Sequence, residues 1–345
     1  MIRRVIKESK IKALRALLEQ SENIVITCHL NPDGDAIGSS LGLYHVLLSI
    51  GKKVSIVTPD LPPRSLMFLP GAKEIVAFTQ YAEFGTQLFN EADLIFCLDF
   101  NAYSRVDRMS GVLSGAKAPK VLIDHHLDPE DFADITISHP EMSSTCVLVF
   151  RTLCRLELFD QIDRKAAECI YTGMMTDTGN FTYNSNDPDL YVIVAELLRK
   201  GINKDRIYAQ VCNTNTSKRL RLNGYSIYKK MQLFPEHQAA LITLTRDELK
   251  EFDYDKGDTE SLVNVPLSIP GISYSVFMRD DTKYIKVSSR SKGDFPVNRI
   301  CEKYFNGGGH KNAAGGEFRG SLTEAVNVFL SILDENDKYL QKTTK

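Results

Sequence analysis

The chain has 345 residues, more than one ordinary domain holds, and its 43% hydrophobic and 25% charged content is that of a folded globular protein, which excludes a disordered one. The 42 Lys and Arg against 44 Asp and Glu leave a net charge of −2. The global basic field that recruits long duplex nucleic acid is therefore absent, and only a local basic cluster is left to hold short anions.

The charged amino-terminal stretch MIRRVIKESKIKALRALLEQ has no apolar leader core, and no later stretch approaches the roughly 18 uninterrupted apolar residues of a membrane span, so a cytoplasmic protein with no membrane segment is expected. NIVITC, Asn23 to Cys28, reads as a short apolar strand. AIGSSLGLYHVLLSIG follows as a helix with Ile37, Leu41, Tyr44 and Leu48 at helical spacing and Gly51 placed to end it. KVSIVT, ADLIFCLD and KVLIDHH continue the strand series, each apolar along most of its length, which is the pattern of strands buried on both faces. With helices between them, this predicts a mainly parallel, Rossmann-like α/β sheet flanked by helices and built by right-handed crossovers.

After the strand ADITIS, the runs SSTCVLVFRTLCRLELF and DRKAAECIYTGMMTDTGNF read as helices, the second ending in a polar turn. Residues 1–187 are thus the first domain. The more polar helical stretch 188–234, interrupted by Gly201 and Gly224, reads as a linker, and 235–345 as a second, smaller α/β domain. There QAALITLT, GISYSVFMRD and KYIKVSSRS are strand-like and SLTEAVNVFLSILDENDKYL is a closing amphipathic helix. The seven cysteines, Cys28, Cys97, Cys146, Cys154, Cys169, Cys212 and Cys301, are odd in number, form no CxxC pair and lie mostly in apolar runs. Reduced core thiols are the expectation.

The unusual polar residues fall at the carboxyl ends of the predicted strands: His29, Asp33 and Asp35 after the first, Asp99 at the end of LIFCLD, and Asp124, His125 and His126 at the end of KVLIDHH. In an open parallel sheet that edge is where ligands bind, so residues far apart in sequence converge there, and Asp177 in the turn TDTGN can join them. One such Asp alone is a turn former or helix cap, and DHH alone a satisfied pair. Four or five crowded carboxylates need a cation, histidines add nitrogen ligands, and the number of groups suits two ions about 3.5–4 Å apart, the arrangement used in phosphate-ester hydrolysis. The small residues Gly34, Gly38, Ser39, Ser40 and Gly42 serve either close packing or the approach of a phosphate to the helix N-terminus.

HLNPDGDAIGSS, CLDF, IDHH and TDTGNF together resemble the four successive motifs of the DHH phosphoesterase superfamily, and FNGGGHKNAAGG, Phe305 to Gly316, resembles the signature of its DHHA1 domain. The nearest resemblance is to the compact bacterial nanoRNase group of oligoribonucleases and 3',5'-bisphosphate nucleotide (pAp) phosphatases, whose members also carry the name exopolyphosphatase-related. It implies that His29 and Asp33 bind one ion and Asp35, His125 and Asp177 the other, with Asp99 bridging. Asp124 would orient a ligand histidine, and His126 would face the scissile phosphate. The implied cofactors are two Mn2+ ions, with Mg2+ or Co2+ as substitutes. Short RNA oligonucleotides of about two to five residues and phosphorylated nucleotides would be the substrates, a homodimer is a candidate assembly, and the attacking nucleophile would be water.

In the second domain Gly307, Gly308, Gly309 and His310 offer bare backbone N–H groups beside an imidazole, or a plain glycine turn. Arg290, just past a predicted strand and near Lys286, Lys292 and Arg299, is placed to form a fork to phosphate. This domain is expected to act as a lid that holds the nucleotide. The rival readings are a linear-dinucleotide phosphodiesterase acting on pApA or pGpG, an exopolyphosphatase or pyrophosphatase, and, from another class, a nucleotide- or RNA-binding module without chemistry.

Overall fold

The computed structural model describes residues 4–340, so the first three residues of the charged amino-terminal stretch and the last five of the chain lie outside the described residues. The chain divides into two compact units, Met1–Thr214 and Asn215–Lys345.

The first unit runs α1 (Glu8–Gln20), β1 (Asn23–Thr27), α2 (Gly34–Ser49), β2 (Lys53–Thr58), β3 (Val76–Ala77), α3 (Ala82–Glu91), β4 (Leu94–Leu98), α4 (Ser110–Gly115), β5 (Lys120–Asp124), β6 (Ile135–Ser138), α5 (Thr145–Arg155), α6 (Arg164–Asp177), α7 (Pro188–Arg199) and α8 (Lys204–Cys212). Its sheet has the order β3-β2-β1-β4-β5-β6 with every pair parallel. That is a doubly wound sheet whose strand order reverses between β1 and β4, the point where such folds open a ligand crevice at the carboxyl edge.

The missing alternation of the strand sequences has its cause in this arrangement. Along β4, Leu94, Phe96 and Leu98 enter the core under α2 and α5, while Ile95 and Cys97 enter a second core with Phe89 of α3 and Leu113 of α4. Each fully buried side chain of this size contributes about 1.5–3 kcal/mol, so no position on the central strands is free to be polar until the strand ends.

Residues 188–234 are shared between the units. Leu190, Ile193 and Leu197 of α7 and Ile207 of α8 join the first core, and Leu222 of α9 joins a core of the second unit. That unit runs α9 (Ser217–Tyr225), a π-turn at Ser226–Lys230, β7 (Gln232–Phe234), β8 (Ala239–Leu244), α10 (Arg246–Glu251), β9 (Tyr274–Asp281), β10 (Tyr284–Ser291), α11 (Val297–Tyr304), β11 (Gly308–His310), β12 (Ala313–Phe318) and α12 (Leu322–Leu340). Its sheet has the order β11-β12-β10-β9-β8-β7, antiparallel except for β8 and β9. Among the described residues no helix is long and apolar enough to cross a membrane, and all seven cysteines are free.

Candidate metal centre

β1, β4 and β5 are neighbours in the sheet and stop at the same edge. The residues that follow them therefore arrive together: His29 after β1, Asp99 after β4, and Asp124 to His126 at the end of β5. Asp99 has φ +63, a left-handed conformation that Asp tolerates better than most side chains and that clusters at functional sites.

Asp35 and Asp177 come from helices, and glycines bring those helices close. Gly34, Gly38 and Gly42 lie one turn apart on α2 and face α6 running the other way. A Cβ on Gly38 would meet the Cys169 carbonyl oxygen at 2.5 Å, and one on Gly42 would meet Ile170 Cγ1 at 2.5 Å. The first turn of α2, with Asp35, is thus held beside the last turn of α6, with Asp177. Of the two readings of these small residues, helix-to-helix packing is the one with a visible cause, and Ser39 and Ser40 are fully buried, their hydroxyls bonded to the Ala36 carbonyl.

Two separate groups of donors result, His29/Asp33/Asp99 and Asp35/His125/Asp177, and a third, Asp99/His125/His126, overlaps both; each offers one ligand atom per residue within 4.8 Å of the others. His29 Nε2 lies 3.4 Å from Asp99 Oδ2 and 3.8 Å from Asp33 Oδ1. His125 Nε2 lies 3.4 Å from Asp177 Oδ2, 3.6 Å from Asp99 Oδ1 and 3.9 Å from Asp35 Oδ2. Asp99 thereby turns one oxygen to each group. Asp33 also serves as the N-cap of α2, accepting from the N–H groups of Asp35 and Ala36.

The donor set suits divalent cations. His29 Nδ1 sits 2.8 Å from the Leu30 carbonyl and His125 Nδ1 3.2 Å from the Met142 carbonyl, contacts that put the ring proton on Nδ1 and leave Nε2 as the ligand atom facing the carboxylates. Without a cation the cluster is neutralised by protons. Burial, with Asp99 and Asp177 adding to it, pushes Asp35 well above the ordinary carboxylate range. Burial likewise raises Asp177 to about 7. Burial opposes charge on the imidazoles, yet the neighbouring carboxylates Asp33 and Asp99 lift His29 to about 11, and Asp99, Asp35 and Asp177 lift His125 to about 9. Burial also opposes ionisation of Asp99, but His29, His125 and His126 hold it below its usual range. Cations would replace those protons. Cys28 is no nucleophile here, because burial pushes its thiol far up.

Of the two histidines that follow it, Asp124 holds His126. Its carboxylate bonds to His126, accepting from the backbone N–H at 3.0 Å and meeting ring Nδ1 at 2.7 Å, while the neighbouring His125 rests on Met142. Sequence reasoning also missed Thr145, the first residue of α5. Its N–H donates to Asp35 Oδ2 at 2.6 Å and its hydroxyl to Asp99 Oδ1 at 2.9 Å, with the Cys146 N–H donating to Asp35 Oδ1 at 2.9 Å. The Ser-Thr helix start was the available signal.

The remaining expected residues belong to the second unit. Gly308–His310 is a strand, β11, paired to β12, rather than a turn. A Cβ on Gly307 would strike the Gly315 carbonyl oxygen at 2.0 Å, and Gly309 has φ +142 with the Ala313 carbonyl oxygen at 2.6 Å, so the hairpin itself demands both. A Cβ on Gly308 would meet only Glu302 Cγ, at 4.0 Å. Arg290 and His310 are both register partners of Ala313, one from each side, so they share a row across β10, β12 and β11. Arg290 Nη1 donates to the carbonyls of Ser289 and Ala314.

The chain matches the DHH family, N-terminal domain, over residues 23–174 and the DHHA1 domain over residues 238–336. It is 30% identical over 332 residues to the bifunctional oligoribonuclease and PAP phosphatase NrnA of Thermus thermophilus, with 94% of each chain covered. It is 29% identical over 295 residues to the protein of the same name from Bacillus subtilis, covering 85% of this chain and 88% of that one. The crystal structure of an exopolyphosphatase-related protein from Bacteroides fragilis superposes with a TM-score of 0.97 at 51% identity, covering 99% of this chain and 100% of that one.

Proposed function

We propose, for a chain that belongs to the DHH family, that it is a cytoplasmic metal-dependent hydrolase that cuts short oligoribonucleotides to 5'-mononucleotides and removes phosphate from pAp. The observation that carries this reading is the pair of donor groups joined through Asp99, each with one imidazole whose Nδ1 is engaged by a backbone carbonyl. The residues of each group are assigned to one ion, His29, Asp33 and Asp99 to the first and Asp35, His125, Asp177 and Asp99 to the second. Mn2+, the metal that the family resemblance implies, is the proposed one, and mixed carboxylate and imidazole donors are compatible with it without selecting it.

Two bound divalent ions supply charge stabilisation at a phosphoryl oxygen and a water made acidic enough to attack phosphorus near neutral pH. The chain's own residues do the rest. Asp124 holds the His126 ring through Nδ1 and so aims Nε2; in the doubly protonated imidazolium, which has a second N–H to give, Nε2 would donate to a phosphoryl oxygen as charge develops on it. Arg290 and His310, flanking the small Ala313, are assigned to a terminal phosphate of the substrate, and Gly308, where no side chain fills the space, to close approach of the nucleotide. Short substrates fit this reading better than long duplexes, because the net charge of −2 offers no extended basic track.

Hydrolysis of a 5'-phosphorylated diribonucleotide in Mn2+, followed with and without chelator and with Asp99→Asn, tests the proposal. Turnover that chelator abolishes and that Asp99→Asn lowers by at least about 1,000-fold is expected. Turnover that survives chelation or the substitution would overturn it.

A further inference from the structure

We propose that Thr145 is the positioning residue that sets the two ion sites against each other, an inference that rests on the metal-centre reading above. One residue touches both carboxylates that matter for the spacing. Its backbone N–H, together with that of Cys146, holds both oxygens of Asp35, at 2.6 and 2.9 Å. Its hydroxyl holds Asp99 Oδ1 at 2.9 Å. Thr145 is fully buried, as are Asp35 and Asp99 to within 2% exposure, so water does not stand in for any of these bonds.

The two contacts differ in what a substitution can remove. The N–H groups belong to the first turn of α5, where helical geometry leaves them without partners in the helix, and they hold Asp35 whatever side chain stands at 145. The hydroxyl bond is different, because it alone depends on the residue type. It takes one lone pair of Asp99 Oδ1, the oxygen turned toward His125 at 3.6 Å, and leaves Oδ2, turned toward His29 at 3.4 Å, untouched. Thr145 therefore fixes the rotation of the bridging carboxylate from the His125 side. Because the two oxygens turn together, its loss would loosen both, but unequally: Oδ1 loses a bond outright, while Oδ2 keeps its contact with His29.

Thr145→Val keeps the branched shape without the hydroxyl, and Thr145→Ser keeps the hydroxyl without the methyl. By calorimetric titration with Mn2+, Thr145→Val should weaken one of two ions about 10–100-fold, the range for groups that orient a metal ligand, and the other distinctly less. Thr145→Ser should stay near wild type. On a His125→Ala background, which leaves only the His29 group complete, adding Thr145→Val should cost less affinity than it does in the otherwise wild-type chain. The electron paramagnetic resonance of the Mn2+-loaded protein should lose its spin-coupled signal in Thr145→Val and keep it in Thr145→Ser. Turnover should fall in kcat with KM nearly unchanged.

Equal binding of both ions by wild type and Thr145→Val would overturn the proposal, as would equal losses in Val and Ser variants, the mark of a packing role alone. If Thr145→Val does not fold, Thr145→Ala gives the same comparison with Ser. A wild-type protein that binds two ions but hydrolyses no phosphoester refutes the proposed function and leaves the Thr145 effect to be read from the titration. A wild-type protein that binds no Mn2+ refutes both.

Discussion

Gly38→Ala separates the stability of the helix pair from the function it serves. An alanine Cβ at this position would lie 2.5 Å from the Cys169 carbonyl oxygen and 2.9 Å from the Gly173 nitrogen, both backbone atoms that cannot rotate away. α2 and α6 must separate by about half an ångström merely to bring the first contact to 3.0 Å. Such overpacking costs about 1–3 kcal/mol, but alanine recovers about 1 kcal/mol of helix propensity over glycine, so the net loss of stability is modest, about 0–2 kcal/mol. The ion site has no such compensation. Asp35 rides on the first turn of α2 and Asp177 on the last turn of α6, and metal–ligand distances tolerate only about 0.2 Å. Thermal unfolding of the metal-free protein and Mn2+ titration, run side by side, should show near-wild-type stability with the ion beside His125 weakened at least about 10-fold. Unchanged Mn2+ affinity in a folded Gly38→Ala protein would refute the idea that the glycine stripe sets the distance between Asp35 and Asp177.

Three further outcomes are expected. Asp124→Asn should lower kcat about 10–100-fold with little change in Mn2+ affinity, because it releases the His126 ring and not His125; a large loss of metal with intact kcat at saturating Mn2+ would reverse the assignment. Gly308→Ala should raise KM for short oligonucleotides without lowering the melting temperature, whereas Gly309→Ala, at φ +142, should lower the melting temperature itself. Glu248 gives a pH signature of the second unit. Burial works against its ionisation, yet the Lys230 ammonium, the Thr245 N–H and the Tyr225 hydroxyl bring it down to about 2. A depressed carboxyl stabilises above its unfolded value near 4.5 and loses that stabilisation as the pH falls toward 2, so Glu248→Gln should cost about 1 kcal/mol at pH 7 and progressively less in acid. A cost that grows in acid would contradict the sign.

What could be read from the residues alone follows from how each feature is encoded. Strands β1, β4 and β5 are buried on both faces, so their sequences are near-continuous apolar runs, and the polar residues that end them stand out. The order of the motifs then carried the parallel sheet. β12, AAGGEF, and β11, GGH, have no β-branched residue, and their pairing depends on how closely two glycine backbones approach, which no local propensity records. Similarly, LIDHH places three candidate side chains at one strand end. Which histidine Asp124 holds is decided by side-chain direction there, and the sequence is silent on it. The glycines of α2 were visible, but their partner was α6, more than 120 residues later, a contact of long sequence separation. Thr145 was hidden behind a local role, since a Ser-Thr pair at a helix start reads as a cap. Ser144 does take that part, accepting from the Val147 N–H, which leaves Thr145 for the carboxylates.

Substrate length tests the account most directly. Products from a 5'-phosphorylated diribonucleotide, pAp, a 24-nucleotide RNA and inorganic pyrophosphate should be compared in Mn2+, each with and without chelator. Chelator-sensitive release of 5'-mononucleotide from the dinucleotide and of AMP from pAp, with the long RNA and pyrophosphate largely untouched, is the predicted result. Cleavage of pyrophosphate alone would contradict it, and so would preference for the 24-nucleotide RNA.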